Sequence, residues 1–484
     1  MADNIGGEPR HNGAVRENDG AVRENDGAVR VDGGAGSESA GAGGDHARPT
    51  RRVVIVGSGF AGFTCARRLC RTLARRGERD VEIVLVTPND YMLYTPLLPD
   101  VAGGLIDPRF VVISLADSLP KVRLVVATAE SVDLANKTVT VTSPHHAPRE
   151  LSYDKLVLTP GSVTRLFDVP GLAEHARGLK TVAEALYLRE QLLRQLELAD
   201  HEDDPEVRRA RRTVVVVGAS YAGTELIAQL RALADTYADR RGVDRSEIRF
   251  LLLDTAERVM PEVGEKLGDK VLEVLRARGV EIRLETTLSE LTEDHVVLTD
   301  GTVVPTHTVA WVTGVTGAPV LSTLDLPMER GRLVVDEYLR VPGHPDVFAA
   351  GDAAAVPDLT APGQITPPTA QHAGRQGRTL ARNVAAALGV GAAAPYKHKD
   401  MGLVVDLGPG FAVANPLGIR LAGLPAKIVA RAYHTYAVPR GVNRWAITLT
   451  YLTNAVTPRP LSMLGLVSPE EASFGVSEGI PADR

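Results

Sequence analysis

Residues 51–62 read Arg-Arg-Val-Val-Ile-Val-Gly57-Ser-Gly59-Phe-Ala-Gly62. Val53 to Val56 is a short β-branched run without alternation, the pattern of a parallel strand buried on both faces. It passes directly into three glycines and then a helical segment, Phe63 to Arg75. In such a loop Gly57 makes the sharp exit from the strand and Gly59 lets a pyrophosphate approach the backbone. Gly62 lets the helix pack close, so that its first amides and its dipole meet the phosphate charge. The same design recurs at Val214 to Val217, followed by Gly218-Ala-Ser220-Tyr-Ala222-Gly223 and a helix from Thr224 to about Ala234. One such loop arises by chance. Two, each after a buried strand and before a helix, predict an α/β protein with two Rossmann-like dinucleotide-binding domains.

The copies differ at the end of their second strand, where an acidic residue normally binds the adenosine ribose. Ile248 to Leu253 ends in Asp254, a carboxylate that accepts from a 2′-OH and repels a 2′-phosphate. This favours NADH over NADPH, with Arg258 close by as a counter-signal. Val81 to Val86 ends in Thr87, which offers a neutral hydroxyl to a ribose.

At 484 residues and 44% hydrophobic content the chain fills two or three domains. A net charge of −6, with no basic stripe, excludes a nucleic-acid partner. The N-terminus lacks the apolar region of a signal peptide and no apolar run is long enough to span a bilayer. The expected location is therefore intracellular, with interfacial attachment left open. No metal site is expected. The first fifty residues hold the heptad GAVREND at Gly13–Asp19 and Gly20–Asp26, then a broken copy from Gly27. Each copy has a glycine and one substantial apolar residue, so a disordered tail is expected rather than a coiled coil.

Further motifs carry a resemblance. The two glycine loops, Leu156-Val-Leu-Thr-Pro-Gly161, Trp311-Val-Thr-Gly314-Val and Val347-Phe-Ala-Ala-Gly351-Asp352 together resemble the two-dinucleotide-binding-domain flavoproteins. The resemblance implies FAD in the first fold, NAD(P)H in the second, and Asp352 near the ribityl-phosphate region of the flavin. The disulfide-reducing branch of that superfamily uses a C-x4-C pair, and the only two cysteines here have that spacing. Cys65 and Cys70 fall, however, in the first glycine-loop helix. A separation of five turns their side chains about 140° apart and displaces them by roughly 7.5 Å along the axis, which cannot close a disulfide without breaking the helix. They are expected to be ordinary helix thiols. The flavin-proximal position of the redox pair instead reads Asn89-Asp-Tyr-Met-Leu-Tyr94-Thr95-Pro96-Leu-Leu-Pro99, without cysteine.

That stretch resembles the NNYHLFQPLL-type segment of the type II NADH:quinone oxidoreductases. Trp311-Val-Thr-Gly314-Val is similar to their WxxGV loop, and Ala370-Gln371-His372-Ala-Gly-Arg-Gln376-Gly377 to their AQxAxxQG motif. The resemblance implies Thr95 and Ala370 beside the cofactor and a quinone pocket near Ala370 and Gln371. Gln371 and Gln376 are expected to offer amide donors to the quinone carbonyls, against the alternative of helix-start residues satisfying backbone groups. Glu225, where the family has a carboxylate, is expected to position the nicotinamide or to assist proton delivery. Its place in a first helical turn is also what the helix dipole favours. Ser220 and Ala222 depart from the family pattern.

The expected division is a tail over 1–50, an FAD-binding domain in two parts (51–170 and 331–385), an NADH-binding domain (171–330) and a C-terminal region (386–484). In the last, Pro416 to Tyr436, interrupted at Pro425, and Arg444 to Leu452 mix aliphatic and aromatic residues with Lys and Arg. Such basic amphipathic segments suit peripheral attachment to the inner face of a bacterial cell membrane, or a packed lid or homodimer contact. The enzyme expected is an FAD-dependent NADH:quinone oxidoreductase. Its rivals are a soluble reductase serving ferredoxin or oxygen, and a slow flavin redox sensor or scaffold.

Overall fold

The computed structural model describes residues 51–144, 146–398 and 401–480; the GAVREND tail lies outside the described residues. The first fold contains β1 (Arg51–Val56), α1 (Phe60–Arg76), β2 (Val81–Thr87), β3 (Arg123–Val126) and β4 (Lys155–Leu158). The second opens with α2 (Val182–Asp200) and continues through β5 (Thr213–Val217), α3 (Tyr221–Arg241), β6 (Arg249–Leu253), β7 (Val280–Arg283) and β8 (Thr308–Trp311). The chain then returns to the first fold with β9 (Val347–Ala349) and α4 (Ala370–Ala387). A C-terminal module follows, made of β10 (Val404–Asp406), β11 (Ala412–Ala414), β12 (Leu421–Ala422), α5 (Leu424–Ala437) and α6 (Gly441–Thr453).

Both large sheets are wholly parallel, in the orders β9-β4-β1-β2-β3 and β7-β6-β5-β8. Helices cover parallel strands on both faces, which is why β5 is buried at every residue and Val53, Val54 and Ile55 are fully enclosed. Both glycine loops leave the central strand of their sheet at its C-terminal end, where doubly wound sheets bind their ligands. Helix α3 begins at Tyr221, three residues before the expected start, and runs to Arg241.

Cys65 and Cys70 are free on α1, the first fully buried and the second partly, and burial drives the Cys65 thiol well above its ordinary range. The C-terminal module is a three-stranded antiparallel sheet with α5 laid across it. Ala412, Ala414, Ala426 and Ala430 form that contact, their small side chains allowing close approach. Pro425 does not interrupt a helix. It sits in the first turn of α5, where its missing N–H would have no intrahelical partner. Helix α6 buries Asn443, Ile447 and Tyr451 and is pinned to the first fold by Asn443 Nδ2, which donates to the carbonyls of Phe110 and Val112 at 3.0 and 2.9 Å.

Candidate active site

The first glycine loop is shaped by three different constraints. Gly57 has φ +94°, and a Cβ there would lie 2.1 Å from the Thr159 carbonyl oxygen. A Cβ at Gly62 would lie 1.9 Å from the Gly57 carbonyl oxygen, so α1 can pack against its own loop only through glycine. A Cβ at Gly59, by contrast, would meet nothing within 4 Å. Gly59 is the N-cap of α1, which has no side-chain cap and no acidic residue in its first turn. A helix start without a side-chain cap beside the open space at Gly59 suits a pyrophosphate. Gly161 (φ +81°) is equally open beside the loop.

The Gly351-Asp352 turn closes this cradle. Gly351 has φ +73°, and the Asp352 carboxylate accepts from Ser162 Oγ at 2.9 Å, while Lys180 Nζ donates to the same Ser162 hydroxyl at 2.7 Å. Gln376 holds the turn from below. Its Oε1 accepts from the Gly351 N–H at 2.7 Å, its Nε2 donates to Thr366 Oγ1 at 3.0 Å, and it is 1% exposed. The expectation that Gln376 presents an amide to a quinone is therefore corrected: both ends are engaged inside the protein, and the residue positions Asp352. Thr87 is likewise turned inward, buried, with its hydroxyl 2.8 Å from Ser58 Oγ.

The second loop repeats the steric logic. Gly218 has φ +113°, and a Cβ at Gly223 would lie 1.8 Å from the Gly218 carbonyl oxygen. Ser220 caps α3 without a side-chain hydrogen bond. Asp254 is fixed by two backbone donors, Ala219 N–H at 2.5 Å and Ala256 N–H at 2.8 Å, and remains partly exposed. Beyond it lies an open hollow lined by Arg258, Met260, Glu265 and Leu272 among others. Gly314 (φ +70°) follows β8, whose Trp311 indole donates to the Arg165 carbonyl at 3.2 Å.

Glu225 lies at the junction of both folds with the C-terminal module. Because α3 starts at Tyr221, it occupies the second turn rather than the first, beyond the reach of the helix-terminus field. Its Oε1 accepts from the Asp406 N–H at 2.7 Å. Burial raises its carboxyl well above the ordinary range, and the charges of Asp406 and Asp100 add to the shift. It lines a tight cleft, with room for little more than one water molecule, together with Pro96, Asp100, Asp406, His434 and Tyr451. Gln371, in the first turn of α4, donates to the Gly402 carbonyl at 3.3 Å and is partly exposed, as is Ala370. Thr95 is exposed at the start of the turn that enters the short helix Leu98–Ala102. His372 is buried, with Nδ1 2.9 Å from Tyr396 Oη and its ring stacked on His398 at 3.8 Å.

Several residues of this junction escaped the sequence. Lys427 reads as one of the basic residues of an amphipathic surface, yet it is 3% exposed, ion-paired to Asp406 and donating to the Gly408 carbonyl at 2.8 Å. Asp100, directly after the Pro96–Pro99 stretch, is 5% exposed and meets Gln229 of α3 and Tyr451 of α6. His434 Nδ1 is 3.2 Å from Tyr94 Oη, and burial lowers its imidazole to about 4, so it is neutral. Only the charge of Asp100 within a polarised segment was available as a signal.

Two parallel-sheet dinucleotide folds, each with a glycine loop at the head of a helix, define a two-domain nucleotide-dependent oxidoreductase. Residues 51–377 match the pyridine nucleotide-disulphide oxidoreductase family. The chain is 32% identical over 416 residues to the demethylphylloquinone reductase NdbB of Synechocystis, covering 84% of this chain and 96% of that one. It is 31% identical over 407 residues to the type II NADH:quinone oxidoreductase Ndh of Mycobacterium tuberculosis, covering 80% and 85%. NDH2 from Plasmodium falciparum in complex with NADH shares the fold, with a TM-score of 0.77 at 16% identity over 85% of this chain and 99% of that one. The chain belongs to the pyridine nucleotide-disulphide oxidoreductase family and, within it, to the type II NADH:quinone oxidoreductases.

Proposed function

We propose that the protein oxidises NADH and reduces a quinone, with FAD as the resident cofactor. The open Gly59 position beside the α1 terminus, which no side chain caps, carries this reading, since a bound pyrophosphate would accept from the amides of that first turn. Gly57, Gly59 and Gly62, with Gly161, Gly351 and Asp352, would hold FAD, which when bound supplies a two-electron relay from nicotinamide to quinone. Gly218, Gly223 and Asp254 would hold NADH, with its adenosine end toward the Arg258–Glu265 hollow. Thr95, Ala370 and Gly314 would border the flavin, and Thr87 would support the FAD cradle through its contact with Ser58. Gln371 is the amide available to orient a quinone carbonyl, and Glu225 is the carboxyl placed to hold a proton for it.

Peripheral membrane attachment is part of the same reading. No helix among the described residues is long and apolar enough to cross a membrane. One face of α6 nevertheless exposes Val442, Trp445, Leu449 and Leu452, with Trp445 at 73%, and α5 adds Leu424 and Ile428. Next to them Arg67 and Arg71 of α1 crowd Arg444 of α6, so that burial and mutual repulsion lower the Arg67 guanidinium. An apolar stripe flanked by arginines that have no carboxylate partner among the described residues fits the inner face of a cell membrane rather than water. The anaerobic experiment that tests the activity is to bleach the flavin absorbance with NADH and then add a short-chain menaquinone or ubiquinone. Rapid stoichiometric reoxidation is expected, and bleaching without quinone-driven recovery overturns the assignment.

A further inference from the structure

We propose that Asp100 is a proton-holding partner of Glu225: the two carboxyls line one cleft, and Asp100 replenishes the proton that quinone reduction draws through Glu225. The inference rests on the quinone-reductase reading above. The hydride removed from NADH accounts for both electrons and one hydrogen of the quinol. The second hydrogen is a proton, which must come from the protein and be restored from water, so that NADH, quinone and H⁺ give NAD⁺ and quinol.

The geometry separates the three carboxyls of the junction. Asp406 is ion-paired to Lys427. Among the described residues, Asp100 and Glu225 have no cation as a hydrogen-bond partner. Asp100 Oδ1 accepts from Gln229 Nε2 at 2.6 Å and Oδ2 lies 3.3 Å from Tyr451 Oη, while Glu225 accepts from the Asp406 N–H. The nearby guanidinium of Arg459 is directed elsewhere, to the carbonyls of Gly103 and Gln229 and to Gln229 Oε1. A buried carboxyl without a bonded cation keeps its proton.

Glu225 and Gln229 stand four apart on α3 and therefore on one face of it. Gln229 Nε2 also reaches Asp406 Oδ1 at 3.4 Å, so one amide fixes Asp100 relative to the Asp406–Glu225 contact. The charged and titratable groups facing Asp100 are Glu225 from α3, Asp406 from β10, Lys427, Arg431 and His434 from α5, Tyr451 from α6, and Arg459. Burial and then the Asp406 charge push the Asp100 carboxyl up, Lys427, Arg459 and Arg431 pull it back, and it settles at about 7. A group poised there both gives and regains a proton at neutral pH. The cleft is polar on several sides, as a bridging water between the two carboxyls requires.

The test uses the flavin-loaded full chain and D100N. An infrared pH titration of the wild-type protein is expected to show a protonated-carboxyl stretch disappearing near neutral pH, and D100N is expected to lack it. In stopped flow, bleaching by NADH should stay within about twofold of wild type. Quinone-driven reoxidation should slow by at least about tenfold and lose its pH dependence, less than the roughly hundredfold of a direct general acid because Asp100 acts through Glu225. Reoxidation by ferricyanide, which takes no proton, should not change. An infrared band that survives in D100N, quinone reoxidation at the wild-type rate, or equal slowing with both acceptors overturns the proposal. Wild-type protein that quinone cannot reoxidise overturns the underlying reading instead. If D100N does not accumulate, Y451F is expected to shift the carboxyl band, and an unshifted band overturns the proposal.

Discussion

The two glycine loops share a backbone and differ in what closes them. In the first, the residue ending the second strand is Thr87, buried and hydrogen-bonded to Ser58 inside the loop itself. In the second it is Asp254, a partly exposed carboxylate gripped by the amides of Ala219 and Ala256. A neutral hydroxyl pair locks one loop from within. A charged group stiffens the other while keeping lone pairs for a ribose. One supersecondary design therefore serves a resident cofactor and an exchanging one, and the difference lies in a single side chain per loop.

The sharpest way to break the comparison is steric. G62A drives a Cβ to 1.9 Å from a backbone oxygen, whereas G59A places one in open space. G62A is expected to lose more than about 3 kcal/mol, beyond ordinary overpacking, in urea unfolding. G59A should melt normally without flavin yet retain less of it, as flavin-to-protein absorbance would register.

A second prediction concerns the junction that α3 builds beyond its loop. Asp100 sits at about 7 in the folded protein, above the roughly 3.9 of an unfolded aspartate. The unfolded chain therefore releases its proton first, and stability is lost as pH rises from about 4 through 7. D100N lacks this loss, so its melting temperature should gain on wild type between pH 5 and pH 8, by up to about 1.4 kcal/mol per pH unit in free energy. A gap that shrinks over that range contradicts the assignment.

D254N tests the exchanging loop. Losing the charged acceptor should raise KM for NADH about tenfold, or about 1.4 kcal/mol, with a smaller change in kcat in steady-state kinetics. T87V is the matching change in the first loop. Removing the Ser58 partner should cost about 1 kcal/mol in urea unfolding and leave KM for NADH unchanged. A shift in that KM would mean that the loops are not independent.

The sequence alone was sufficient for the elements and their steric demands. A β-branched run followed by spaced glycines is a local pattern, and the need for glycine at 62 and 223 is set by the carbonyls of Gly57 and Gly218 in the same loops, whereas Gly57 and Gly218 are also crowded by the distant Thr159 and Val312. The free cysteines followed from helix geometry in the same way. Side-chain partnerships were not legible, because they join residues far apart in the chain. Gln376 looks like a free helix-start amide until Gly351 and Thr366 close around it. Lys427 looks like a surface cation until β10 brings Asp406 to it. Asp100 and Gln229 are separated by 129 positions, and Glu225 and Asp406 by 181. Only the packing of both folds against the C-terminal module decides which charges lose water there, and that loss sets which carboxyls keep a proton.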